Sequence, residues 1–147
     1  MSSELSAKFT LWCSRMIGVA VVIMVFAFPP LLRWYSGIRP FRDYGQEALT
    51  IAFYCCVPVV LFALWCIDRL VTNVLREEVF VETNTGYIRR IRWCCVGVSV
   101  ICLPASVFYP PLVFMVVIMA FLALVVSMVK NIMAAAIELR EENDLTI

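Results

Sequence analysis

The sequence predicts an all-α fold: an integral membrane four-helix bundle in which helices 2 and 4 extend into the cytoplasm. Composition is the first reason. Of the 147 residues 63% are hydrophobic and 16% charged, and mean hydropathy is +0.93, whereas soluble domains are about 45–50% apolar. Distribution is the second. Uncharged runs cover residues 16–32, 48–67 and 93–129, and a crossing needs roughly 20 apolar residues. The first two runs fit one span each, and the third is long enough for two. The third reason lies inside that last run, where Phe108-Tyr109-Pro110-Pro111 cannot continue a helix, because consecutive prolines lack N–H donors and clash with the preceding turn. One membrane domain, residues 1–147, follows, with spans at about 12–32, 48–68, 91–108 and 112–130, a loop at 69–90 and a tail at 131–147.

The first span follows Lys8 and Arg15 and closes on Phe28-Pro29-Pro30-Leu31-Leu32. It is too long for a signal-peptide core and lacks a small-x-small cleavage site, so it reads as a retained anchor. Pro58 in the second span and Pro104 in the third each remove one backbone hydrogen bond and should bend their helices, which shapes the bundle rather than gates it. The runs contain no Asp, Glu, Lys, Arg, Asn or Gln. Polar atoms at depth come from Thr50, Tyr54, Ser99, Ser106, Ser127 and the cysteines, and the expected role of the hydroxyls is hydrogen bonding within or across helices. A proton-coupled exporter would need a buried carboxylate, so this pattern argues against one.

Histidine is absent, which removes histidine-ligated metal sites and histidine acid/base chemistry. Seven cysteines are present, Cys55-Cys56 and Cys94-Cys95 as adjacent pairs and Cys13, Cys66 and Cys102 singly. Adjacent residues on a helix point about 100° apart and suit neither a metal clamp nor an ordinary disulfide. They read as small packing residues, with no metal and no cofactor expected. No nucleophile–base pair or carboxylate cluster is recognisable, so the chain reads as a non-enzyme. Twelve basic and eleven acidic residues nearly cancel, which argues against direct nucleic-acid binding.

Orientation follows from lysine and arginine, which favour cytoplasmic segments. Lys8, Arg15, Arg69, Arg76, Arg89, Arg90, Arg92, Lys130 and Arg140 fall on the side of the termini and the second loop, against Arg33, Arg39 and Arg42 on the other. Both termini are therefore expected on the cytoplasmic side. Trp12, Trp65 and Trp93 sit near one boundary and Trp34, Tyr35 and Tyr109 near the other, as interfacial rings do. The external loop, 33–47, alternates Trp34, Tyr35, Phe41 and Tyr44 with Arg39, Arg42 and Asp43, and interfacial anchoring explains it more simply than a ligand site.

The cytoplasmic face concentrates the polar patterning. Apolar residues at 67, 70, 71, 74 and 75 continue the second helix out of the membrane. Thr83-Asn84-Thr85-Gly86 reads as a turn and cap, and the collar at Arg89, Arg90, Arg92 and Trp93 should meet lipid phosphates. The fourth helix should run to about Glu142, since its alanine, leucine, arginine and glutamate are strong helix formers. Acidic residues at its end, Glu138, Glu141, Glu142 and Asp144, oppose the macrodipole. That conflict suggests that the tail docks on Arg89, Arg90 and Arg92, with Leu145 and Ile147 seeking an apolar groove.

Phe80, Asn84, Ile88 and Arg89 between the second and third spans, with the closing Glu142-Asn143-Asp144-Leu145-Thr146-Ile147, resemble the bacterial membrane family called domain of unknown function 2975. The resemblance covers nearly the whole chain in span order and length, and its most specific part is the terminal EENDLTI. It implies a four-span protein, often encoded beside a small Cro/C1-type helix-turn-helix regulator, and hence the membrane component of a regulatory pair. The doubled cysteines depart from the family pattern.

The reading that results is a non-enzymatic regulatory or scaffold protein that contacts membrane lipids and signals to a cytoplasmic helix-turn-helix regulator. Its candidate partner-binding residues are Phe80, Asn84, Arg89, Arg90, Arg92, Glu142, Asn143, Asp144, Leu145 and Ile147. The competing reading is a small transporter or channel subunit acting as a homo-oligomer, favoured by the prolines and weakened by the uncharged spans.

Overall fold

A computed structural model describes residues 2–41, 44–76 and 81–146. They form four helices: α1 (Ser2–Ile38), α2 (Gly45–Leu75), α3 (Glu82–Phe108) and α4 (Leu112–Thr146). Each predicted span lies inside one helix. At about 1.5 Å per residue, even the 27 residues of α3 reach about 40 Å, beyond the roughly 30 Å hydrocarbon core. All four helices are long and apolar enough to cross a membrane, and large apolar side chains such as Phe26, Val107 and Phe114 are more than 70% exposed. In lipid that exposure carries no hydrophobic penalty.

Successive helices run antiparallel, so the termini and the α2–α3 connection share one end of the bundle, the near end, and the other two connections share the far end. Among the described residues packing follows chain order: α1 on α2, α2 on α3 and α3 on α4. Among the described residues the backbones of α1 and α4 do not come within 8 Å of each other, and a cavity of about 230 Å³ lies where side chains of all four helices approach, lined by Phe28, Phe53, Cys56, Val98, Cys102 and Met119 among others. Small side chains permit the closest packing: Ala52 on α2, Val98, Cys102 and Ala105 on α3, and Ala123 on α4 are all buried. The cysteines are free thiols, and the Sγ atoms of Cys56 and Cys102 meet at 3.9 Å across α2 and α3, as expected of packing residues.

The turn at Pro110-Pro111 falls where the sequence places it, closed by Leu112 N–H donating to the Tyr109 carbonyl at 3.0 Å. Pro29 and Pro30, by contrast, sit inside α1, which continues past the predicted span to Ile38. Pro29 cannot donate to the carbonyl of Val25, four residues earlier, and the Tyr54 hydroxyl of α2 donates to that oxygen at 3.2 Å. Proline is tolerated in a spanning helix when a neighbour satisfies the freed carbonyl. Phe28 stacks on Phe53 beside it, ring centroids 3.9 Å apart. Tyr54→Phe should therefore lower resistance to unfolding in detergent by about 0.6–1.7 kcal/mol; an unchanged unfolding midpoint would show that α1 carries the unpaired carbonyl without help.

The remaining membrane hydroxyls follow the sequence reading. Thr50 and Ser106 donate within their own helices, to the Gln46 carbonyl at 2.8 Å and the Leu103 carbonyl at 2.6 Å. Ser99 donates across to the Val116 carbonyl at 3.3 Å, and Ser127 accepts from Arg92 Nη1 at 3.4 Å.

Candidate functional site

The polar chemistry of the described residues gathers at the near end. Arg15 on α1 donates through Nε to Asp68 Oδ1 on α2 at 3.3 Å; with Arg15 largely exposed and Asp68 half-buried, the pair is worth a fraction of a kcal/mol to about 1 kcal/mol. Deeper in the α2–α3 corner, Asn73 Nδ2 donates to Asn84 Oδ1 at 2.8 Å. Asn84 is 0% exposed. Its side chain is spent inside the chain and offers a partner no surface, so it positions the corner that Arg89 and Arg90 occupy. Thr85 beside it buries a hydroxyl with no hydrogen-bond partner.

Below this corner, toward the span, runs an aromatic wall. Phe62 lies nearly parallel to Trp65 with centroids 5.9 Å apart, and Trp65 meets Tyr87 edge-on at 6.0 Å. Arg69 lies over Trp65, Arg90 over Tyr87 and Arg92 over Trp93, each guanidinium carbon 5.6 Å from the ring centroid. Helical spacing explains two of these pairs, since residues 65 and 69, and 87 and 90, share a helix face. Charge patterning marks the collar in the sequence, and for two of the three pairs the stacking is legible there as i, i+3 and i, i+4 spacing.

The predicted site residues separate into two groups. Arg89 and Arg90 are exposed on α3 and Arg92 is half-buried, whereas Glu142, Asn143, Asp144 and Leu145 are exposed on the last turns of α4. Phe80 and Ile147 lie outside the described residues. The expected docking of the tail on the arginines does not occur: among the described residues no ion pair or hydrogen bond joins Arg89, Arg90 or Arg92 to Glu138, Glu141, Glu142 or Asp144. Geometry explains the correction. Because α3 begins at Glu82 and α4 runs antiparallel to Thr146, Arg89 lies level with about residue 131, some 15 Å below Glu141 at the helical rise. No proline or glycine interrupts residues 131–146, so helix propagation carries the tail past α3 instead of folding it back.

At the far end Phe41 sits between Tyr35 and Tyr109, centroids 5.5 and 5.8 Å away, and the two tyrosine hydroxyls share a hydrogen bond at 3.2 Å. That bond, with a smaller contribution from burial, pushes the Tyr109 phenol above its ordinary value. The far-end aromatics thus tie the first and third connections together.

A curated protein similar to this chain is an uncharacterized membrane protein of Bacillus subtilis (strain 168), YoaS, 20% identical over 146 residues that span 90% of this chain and 91% of its own. No solved structure matches. The family described as protein of unknown function DUF2975 matches residues 7–147, the stretch that holds all four crossings, the buried Asn84 corner and the acidic closing helix, and this multi-pass membrane protein belongs to it.

Proposed function

We propose that the protein is a non-enzymatic membrane regulator or scaffold whose near end faces the cytoplasm and holds a soluble partner. The observation that carries this reading is the overhanging end of α4. Leu139 is 61% and Leu145 88% exposed, and both stand among Glu138, Glu141, Glu142 and Asp144 on a helix that extends past the start of α3. An ordered helix with exposed leucines and an acidic surround suits a groove that is apolar and basic-rimmed, because helix-in-groove binding uses apolar anchors for affinity and charge for orientation. A small helix-turn-helix regulator offers basic surface of that kind, and the family resemblance points to one. The cytoplasmic side is supported by nine of the twelve lysines and arginines lying at this end.

The test is affinity purification of the intact protein from its native membrane beside a variant lacking residues 143–147, with co-purifying proteins identified by mass spectrometry. Retention of a small helix-turn-helix protein by the full chain and its loss from the truncation is the expected result. Equal recovery from both, or recovery of the membrane protein alone, defeats the reading. A fluorescent protein fused after residue 147 should be bright and an alkaline phosphatase fused after residue 40 active; the reverse pattern would invert the assigned side.

A further inference from the structure

Between α2 and α3, below the aromatic wall, an open groove of about 460 Å³ is lined by Pro58, Val59 and Phe62 on one side and Arg90, Trp93 and Gly97 on the other. Its length follows from helix geometry: Arg90 to Gly97 is seven residues, about 10 Å of rise, so the groove starts at a guanidinium at the near-end boundary and descends into the span. Gly97 lies on its floor: a Cβ there would make only ordinary van der Waals contact with Val59 Cγ1, at 3.9 Å, but a longer side chain such as leucine would reach into the space. Its mouth is cationic. Arg90, which lines the groove, lies over Tyr87, and Arg69 lies over Trp65, the ring that Tyr87 meets edge-on; among the described residues neither arginine has a carboxylate within ion-pair range.

We propose that this groove binds one anionic glycerophospholipid, its phosphate held by Arg90 and Arg69 and an acyl chain lying along Phe62, Trp93 and Gly97. The gradient from charge to hydrocarbon along a single cleft matches an amphiphile that stands at the membrane boundary. Basic pockets between spanning helices select anionic headgroups by charge, and the two rings hold the guanidiniums in place, so less side-chain freedom is lost on binding. Free phosphate would use the arginines alone and gain nothing from the cleft. The site is distinct from the α4 tail, and its test does not depend on any soluble partner.

The experiment is native mass spectrometry of the full chain in detergent, titrated with phosphatidylglycerol, phosphatidylcholine or inorganic phosphate. The intact protein should retain one phosphatidylglycerol in preference to phosphatidylcholine. Arg90→Gln should reduce that preference about fivefold, with a further loss on adding Arg69→Gln, and Gly97→Leu should abolish retention while both cations remain. Equal retention of the two lipids by the intact protein, or undiminished preference in the double arginine variant, overturns the proposal. So does displacement of the lipid by inorganic phosphate together with normal binding in Gly97→Leu, which would leave a headgroup contact only. Should Gly97→Leu lose its helical circular dichroism, the arginine variants and the phosphate competition decide the matter alone.

Discussion

Asn84→Ala should destabilise the protein by about 1–3 kcal/mol, the cost of removing a fully buried, hydrogen-bonded side chain, the largest loss expected from any single truncation at the near end. Asn84 is 0% exposed and takes the Asn73 amide at 2.8 Å, so removing it leaves a cavity and a donor without its acceptor. Asn73→Ala should cost less, because Asn73 is only half-buried and water can reach what it leaves behind. Asn84→Asp adds a pH signature. Burial raises the carboxyl's pKa on folding, so that variant should approach the parent at low pH and lose stability as pH rises through and above the unfolded value of about 4. Thr85→Val is the control: its hydroxyl is buried and unsatisfied, and an apolar group of the same shape should be neutral or stabilising. Unfolding midpoints in detergent at several pH values check all four. A flat pH profile for Asn84→Asp would mean that the corner opens to water.

Leu145→Ala should do the opposite, leaving the unfolding midpoint unchanged while weakening capture of a soluble partner roughly 30-fold, the equivalent of about 2 kcal/mol for an apolar side chain transferred from water to a groove. The stability half rests on the 88% exposure of Leu145, which leaves it almost nothing to lose within the chain. Glu141→Lys with Glu142→Lys should weaken the same capture and make it less salt-dependent, since attraction to a basic rim would become repulsion. Binding isotherms with the purified partner at two salt concentrations read both effects. Equal affinity in Leu145→Ala would exclude the exposed leucine as an anchor.

What the sequence made legible was the physics of chain neighbours and of solvent. Charge-free runs marked the spans, Pro110-Pro111 marked the reversal, the apolar spacing at 67, 70, 71, 74 and 75 marked the continuation of α2, and the membrane hydroxyls found the satisfaction that lipid demands. Features that depend on a distant partner were not legible. Nothing near Pro29 announces that Tyr54, on the next helix, takes the Val25 carbonyl and lets the helix carry two prolines. Thr83-Asn84-Thr85-Gly86 reads as a turn and cap, yet it forms the first turns of α3, and the burial of Asn84 follows from how α2 meets α3. The tail was expected to fold back because its charge opposes the helix dipole, but that penalty is small beside the regular hydrogen bonding of uninterrupted helix.

Packing in chain order also bears on how the molecule comes to be. A helix that rests only on its predecessor can find its place as soon as it leaves the ribosome, without waiting for segments still to be made. Two antiparallel hairpins can therefore enter the bilayer one after the other, and the α2–α3 corner at Asn73 and Asn84 joins them. The tyrosine bridge is the exception. Tyr35 lies at the end of the first helix and Tyr109 at the last reversal, so their hydroxyls meet only after three crossings have been laid down, and that bond acts as a late clasp on a structure assembled from its beginning.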